Sequence, residues 1–495
     1  MTSGRSYILR WIFCLDLCGG LLLGSALAVD VEVVSKKTVV TNGYCQQATH
    51  PMQTGPAVGD HKNYISYMDN SGSSVCHTSG DAGAHNIFVS QLDLATNKWS
   101  PSPSVGVIDP KGWDGHETPT VFRGPDGRLD VFYGAISSGQ NASAGCSADT
   151  QGPFYRRSAN PDNIASWGPV QRVPVCGAFS EHSGGYTANG SLHLFGQKQW
   201  SSPGLPSYDL IYIRRSEDLS WSSGVALIHD DGKDSSKGQN GPGCMHNEQI
   251  IGNTIHLVWS STTNSCSGNG QNLYYAWSTD NGETWYNADK TASFKREKGL
   301  GAVSALTYPS SYLVKSGDTT ADMKVNALSD GSVIIAHRAN GLLELHRRSK
   351  GNWQRSVIES SGMNSVVGLT IGITATDVIA VVSGNGSDVF LYTSSDKGET
   401  WAKQVLHKRG SEANNRNFLS TMVTSSGLDN RMFVEWVETF YPGEPRPQFH
   451  TEVIVSEIRF PAPALPPPTA PAPSTPAPTA RIISPKAFRV VRVWF

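Results

Sequence analysis

The amino-acid sequence predicts an all-β protein, a seven-bladed β-propeller preceded by a signal peptide and followed by a Pro-rich tail. Two segments carry most of that reading, Ser278-Thr-Asp-Asn-Gly-Glu-Thr-Trp285 and Ser394-Ser-Asp-Lys-Gly-Glu-Thr-Trp401. Both have the Asp-box pattern SxDxGxTW and follow an alternating strand, Leu273–Trp277 in one case and Val389–Tyr392 in the other. In such a turn the Ser and Asp side chains bond backbone groups, Gly permits positive φ, and Trp packs the turn onto its sheet. Weaker copies precede Trp99, Trp167, Trp221 and Trp353, so that six tryptophans lie 68, 54, 64, 68 and 48 residues apart. That interval suits four-stranded blades with variable loops. A last strand, Glu452 to Ile458, is placed to close the ring with N-terminal strands as a seventh blade.

Composition agrees. Of 495 residues, 50 are Gly, 28 Pro and 13 Trp, and only 17% are charged, which suits a turn-rich β-protein better than a helical or disordered chain. The formal charge of −2 supplies no broad basic field, so a nucleic-acid partner is not expected.

Residues 1–28 read as a secretory signal. Arg5 and Arg10 precede an apolar run from Ile12 to Leu23, and Ala26-Leu27-Ala28 gives a small-residue cleavage pattern. No later stretch is apolar enough to span a bilayer, so the expectation is a secreted, extracellular protein with no membrane partner. Six cysteines remain after the signal: Cys45, Cys76, Cys146, Cys176, Cys244 and Cys266. An even number in an exported chain implies disulfides; sequence closeness favours Cys146–Cys176 and Cys244–Cys266, and the pairing stays open. Asn141, Asn189 and Asn385 head glycosylation sequons, which places them on surface turns.

The propeller is assigned to residues 29–460. A Pro/Ala/Thr-rich linker follows at 461–480, and residues 481–495 form a basic tail expected to be disordered.

Loops at the ends of a propeller's channel come from several blades, so site residues should be scattered along the chain. Three polar segments stand just before strands: Gly112-Trp-Asp-Gly-His-Glu-Thr-Pro119, Phe179-Ser-Glu-His-Ser-Gly-Gly-Tyr186 and Gly243-Cys-Met-His-Asn-Glu-Gln249. They put His116, His182 and His246 in equivalent positions, where neighbouring blades would aim them at one channel. Lys198 leaves the second hairpin sixteen residues after His182. Imidazoles with a lysine can neutralise a carboxylate and move a proton near neutral pH. A lone loop histidine is more often simply hydrogen-bonded; three in matching positions argue for a site. No CxxC, HxH or HxxxH spacing supports a metal, so no metal ligands are assigned and no cofactor is required. A structural Ca²⁺ or Zn²⁺ in the channel is left open.

At these segments the chain resembles the BNR-repeat propeller family that includes ulvan lyases, rhamnosyl-glucuronate lyases and α-rhamnosidases. The resemblance rests on WDGHETPTVFRGPDGRLDVFYG, FYRRSANPDNIASW and HNEQIIGNTIHLVWSSTTN with NLYYAWSTDNGETWYN, and runs from about Cys45 to Trp401. It implies β-elimination at a uronic acid: neutralisation of the C6 carboxylate, removal of the C5 proton and acid assistance to the group leaving from O4. By that likeness His116 stands where these lyases carry a His, and His182 and Lys198 stand where they carry a Tyr and an Arg. Tyr186, four residues beyond His182, is an alternative base. Trp113, Glu117, His246, Glu248 and Arg157 complete the expected substrate-binding set. Where such lyases have a second His at the end of the first hairpin, this chain has Tyr133-Gly-Ala-Ile-Ser137.

The implied partner is an acidic polysaccharide or oligosaccharide, met by a monomer. Two other readings stand beside the lyase. A glycoside hydrolase like the related rhamnosidases would use His61, on the opposite propeller face. A non-catalytic glycan-binding propeller would use Trp113 and Trp200 as stacking platforms. A sialidase fits less well, because no Arg-Ile-Pro occurs, and no evident carboxylate pair supports ordinary glycosidase chemistry.

Overall fold

The computed structural model describes residues 31–43, 57–58, 62–68, 85–93, 95–108, 119–134, 152–175, 179–202, 205–229, 246–262, 270–301, 308–319, 323–363, 368–385, 388–408, 420–425, 431–440 and 450–461. Their strands form seven separate sheets, and the one helical turn among them is the 3₁₀ turn Ser310–Tyr312. The chain is therefore a seven-bladed β-propeller, as the spacing of tryptophans predicts. The compact unit that contains the blades ends at Pro461. The signal segment, all six remaining cysteines, Asn141 and the tail lie outside the described residues.

Each blade is an antiparallel sheet whose first strand lies innermost. Blade 1 comprises Ala57–Val58, Lys62–Met68, His85–Asp93 and Lys98–Pro101, and blade 2 Thr120–Arg123, Leu129–Tyr133, Phe154–Arg157 and Gln171–Arg172. Blade 3 runs Ser180–Tyr186, Leu192–Ser202, Leu205–Arg215 and Val225–His229; blade 4 runs His246–Ile251, Thr254–Thr262, Gly270–Ser278 and Thr284–Tyr286. Blade 5 is Met323–Ala327, Val333–Ala339, Leu342–Ser349 and Asn352–Glu359; blade 6 is Leu369–Ile373, Ile379–Gly384, Val389–Ser394 and Ala402–His407. Blade 7 joins both ends of the chain: Ser420–Ser425, Arg431–Phe440 and His450–Arg459 are completed by Glu32–Gly43, which pairs antiparallel with His450–Arg459. That pairing turns an open row of sheets into a ring.

The core lies between blades. Flat sheets cannot bury both faces alone, so each packs its aliphatic and aromatic side chains on the next. Val89 and Val131 join blades 1 and 2, Phe132 and Leu194 blades 2 and 3, and Phe195 and Trp259 blades 3 and 4. Val258 with Ile335, Leu345 with Ile379, and Leu391 with Trp436 continue the series, and Ile65 with Phe433 closes it between blades 1 and 7.

The motif turns have the geometry their residues dictate. In blade 4 Ser278 Oγ donates to Asp280 Oδ1 (2.8 Å), the Gly282 N–H donates to Ser278 Oγ (3.0 Å), and the Thr284 N–H donates to Asp280 Oδ1 (2.8 Å). Blade 6 repeats all three bonds with Ser394, Asp396, Gly398 and Thr400. Trp99 and Trp353 lie on outer strands, and Trp167 and Trp221 make single bridges to Ser158 and Arg215 at the corresponding places. These turns all lie at one end of the ring, the turn end. The inner strands begin at the opposite end, here called the strand-start end.

Candidate functional site

Of the residues expected to form a site, His182, His246, Glu248 and the backbone of Lys198 lie at the strand-start end. His246 opens the inner strand of blade 4, and its Nδ1 lies 2.5 Å from Glu248 Oε1. The other carboxylate oxygen, Glu248 Oε2, accepts a hydrogen bond from Ser183 Oγ of blade 3. All three side chains are buried. His246 Nε2 has no hydrogen-bond partner, so a proton on Nδ1 leaves an imidazole lone pair unused inside the protein. Burial of a carboxylate and an imidazole is costly unless each is satisfied, and here one chain of bonds from blade 3 to blade 4 does most of that work.

His182 stands beside Ser183 on the same inner strand. It is fully buried, its ring meets Phe132 edge-on at 6.4 Å, and its carbonyl accepts from Thr120 Oγ1 of blade 2 (3.2 Å). The strand is irregular at this point, because the register slips between Ser180 and Ser183. Such a bulge re-aims side chains, and sequence alone gives no sign of it. The bulge is followed by Gly184 at φ 137°, where a Cβ would run into the His193 carbonyl. Only glycine fits. Lys198 lies on the second strand of blade 3 in register with Asp209, at the same end as His182; of Lys198, and of Trp200 opposite Ser207, the structure describes the backbone alone.

Tyr186 and Arg157 are elsewhere. Tyr186 ends the inner strand that carries His182 near its start, roughly 13 Å away at the usual rise per residue, at the turn end. Its hydroxyl donates to Asp130 Oδ2 and accepts from Arg157 and Arg215. Burial first, and then the Asp130 carboxylate, pushes ionisation of Tyr186 well above the usual phenol range. Asp130 is fully buried and receives both arms of Arg215, at 2.9 and 2.8 Å, and one arm of Arg157 at 3.0 Å. This network pins blade 2 to blade 3. The expectation that Tyr186 and Arg157 share a cleft with His182 and Lys198 is thus not met by the geometry. Nearness in sequence misled, because an extended strand carries its two ends to opposite faces of the ring.

Two further histidines serve the framework. His193 Nδ1 lies 2.7 Å from the Tyr212 hydroxyl, and His256 Nδ1 lies 2.7 Å from that of Tyr275. Burial lowers the pKa of His193 to about 3, with help from Arg214, and burial alone lowers that of His256 to about 4. Both are neutral imidazoles stacked on tyrosines. His116, Trp113, Glu117 and His61 lie outside the described residues. Ser183, Asp130 and Arg215 were not singled out from sequence, since each is defined by a partner more than sixty residues away. Among the described residues, the one cluster of three metal-ligating side chains is in blade 5, not here.

No family model matches the chain, and neither does any curated protein sequence. Solved structures do. An ulvan lyase of polysaccharide lyase family PL25 superposes with a TM-score of 0.57 at 13% identity, covering 84% of this chain and 95% of its own. The same kind of lyase bound to -[GlcA(1-4)Rha3S]- gives 0.57 at 12% identity with the same coverage. The polysaccharide lyase Uly1 gives 0.55 at 11% identity over 86% of this chain and 99% of its own. The class that follows is structural: a seven-bladed propeller of the shape these lyases share.

Proposed function

We propose that the protein is a secreted polysaccharide lyase that cleaves a uronate-containing glycan, ulvan-like or rhamnosyl-glucuronate, by β-elimination. The observation that carries this reading is the buried chain Ser183–Glu248–His246, at the end of the ring where the backbone of Lys198 also lies. The shared fold with lyases, one of them holding a glucuronate–rhamnose oligosaccharide, supports it.

In this reading Lys198 offsets the C6 carboxylate, which makes the C5 proton acidic. His116, which precedes blade 2 in the sequence, is the group that exchanges protons with C5 or O4. The C5–H electrons form the C4–C5 double bond as the C4–O4 bond breaks, and O4 leaves with a proton. His246, oriented by Glu248, is a positioning residue in this reading, whereas His182, enclosed against Phe132 between blades 2 and 3, is too buried to touch the sugar as the catalytic group expected from sequence. Tyr186 and Arg157 hold blade 2 against blade 3.

The test is incubation of purified protein with ulvan and with gum arabic. An ultraviolet-absorbing unsaturated uronate is expected, lost in His116→Ala and Lys198→Ala. New reducing ends without that absorbance would mean hydrolysis, and retained glycan binding without any product would mean a binding propeller; either result overturns the proposal.

A further inference from the structure

Blade 5 carries a second constellation, distant in sequence from the residues above. Its second and third strands are joined by Asn340 and Gly341, both at positive φ (50° and 76°), as in a type I′ hairpin turn. That turn sets Ala339 opposite Leu342, and therefore His337 opposite Glu344. His346 lies two residues further along, on the same face as Glu344. All three side chains are buried.

Their reactive atoms converge. His337 Nε2 is 3.3 Å and His346 Nε2 is 3.5 Å from the same oxygen, Glu344 Oε2, and the three ligand atoms all lie within 4.8 Å of one another. None of the three has a hydrogen-bond partner. His337 Nδ1 is 3.1 Å from the Arg338 carbonyl, which can only accept, so Nδ1 carries a proton. In the neutral ring Nε2 then presents a lone pair to a carboxylate lone pair, an arrangement that a shared proton or a bound cation relieves. The two separations are long for N–H···O bonds. They match the edge of a tetrahedron, about 3.3 Å, whose ligands stand 2.0–2.1 Å from a central zinc.

We propose that His337, Glu344 and His346 bind a divalent transition metal, with Zn²⁺ favoured by the donor set. The surroundings suit the role in part. A backbone carbonyl fixes the tautomer of one histidine, and Arg355 holds the remaining carboxylate oxygen, as outer partners do in metal sites. Three protein ligands leave a fourth position for water or a ligand. The ammonium of Lys315, 3.7 Å from Glu344 Oε2, works against a cation. It sets the affinity below that of a closed structural site, and its removal should tighten binding.

The experiment uses the whole secreted protein, stripped with chelator and titrated with ZnCl₂ by calorimetry, with metal content measured after gel filtration. One equivalent is expected. Glu344→Gln and His346→Gln should each lose that equivalent or weaken it at least tenfold, while Lys315→Met should bind several-fold more tightly. Co²⁺ added to the stripped wild-type protein should give the intense visible absorption of tetrahedral coordination, which decides the matter even if one variant fails to fold. Absence of retained zinc in the wild type, equal retention in both ligand variants, or a Co²⁺ spectrum no stronger than the hexa-aqua ion overturns the proposal. Activity toward a glycan does not enter the readout, so this site and the lyase reading stand or fall separately.

Discussion

His246 Nδ1 lies 2.5 Å from Glu248 Oε1, both side chains buried, and the far oxygen of the same carboxylate receives the Ser183 hydroxyl of the neighbouring blade. The carboxylate thus fixes both the tautomer of an imidazole and the spacing of two inner strands. Glu248→Gln keeps the shape, removes the charge and loosens the hold on His246. Under the lyase reading proposed above, it should lower kcat on a uronate glycan by about 10- to 100-fold, the scale on which a partner that orients a histidine matters, with KM little changed. Steady-state kinetics check this. An unchanged kcat would reduce the trio to a pin between blades.

Asp130 and Arg215 offer the contrast of an ion pair that is structural. Asp130 is fully buried and bonded by Arg215 at 2.9 and 2.8 Å, while Arg157 and Tyr186 occupy its other approaches. Asp130→Asn leaves the Arg215 guanidinium buried with a neutral partner. Stability should fall by about 3–5 kcal/mol, read as a lower midpoint in urea. Residual folded protein should keep the glycan affinity proposed for the strand-start end, since the network is at the turn end. Lost affinity at full folding would place the network in the site.

The architecture was legible because it repeats. Six tryptophans mark six blades, and Glu452 to Ile458 lies within the strand that pairs with the N-terminal strand to make the seventh. The site was legible only as far as local pattern reaches. His246 begins its inner strand and His182 lies near the start of its own, but Tyr186 is at the far end of that strand, and Arg157 goes with it. Pairs such as Asp130–Arg215 leave no local mark, being 85 residues apart. The blade 5 cluster did leave one. In His337-Arg-Ala-Asn-Gly-Leu-Leu-Glu-Leu-His346 the Asn-Gly turn fixes the register, yet a search for HxH or HxxxH passes over ligands that face each other across a hairpin.

The buried histidines give the protein an acid-sensitive framework. His193 is held at about 3 and His256 at about 4, against an ordinary value of 6.5. Protons therefore bind the unfolded chain first as pH falls. The stability these rings support is fully present above pH 6.5 and is lost as pH falls toward 4 and then 3, on the order of a few kcal/mol over that window. Glu435 has the opposite sign: burial raises it to about 8 from 4.5, so the uncharged folded form loses ground as pH rises between those values. Melting temperature against pH should fall on both sides. The double variant His193→Gln/His256→Gln should flatten the acid limb, and Glu435→Gln the alkaline one. Limbs that keep their slopes would assign the pH response to other groups.

Gly282 and Gly398 hold the same place in two Asp-box turns, at φ 76° and 91°, and a methyl group strains both. Their neighbours differ. A Cβ on Gly282 would overlap the Tyr212 hydroxyl, which is held by His193 Nδ1 at 2.7 Å and donates to the Asn281 carbonyl at 3.1 Å. A Cβ on Gly398 would meet the tip of Leu345, a side chain with other rotamers to adopt. Gly398→Ala should therefore cost about 1–2 kcal/mol, mostly in backbone strain. Gly282→Ala should cost about 1–2 kcal/mol more, because a fixed hydroxyl has to be displaced along with its hydrogen bonds. Urea unfolding of the two variants side by side measures the difference. Equal losses would show that backbone conformation alone governs these turns, and a larger loss at Gly398 would show that Leu345 is the stiffer neighbour.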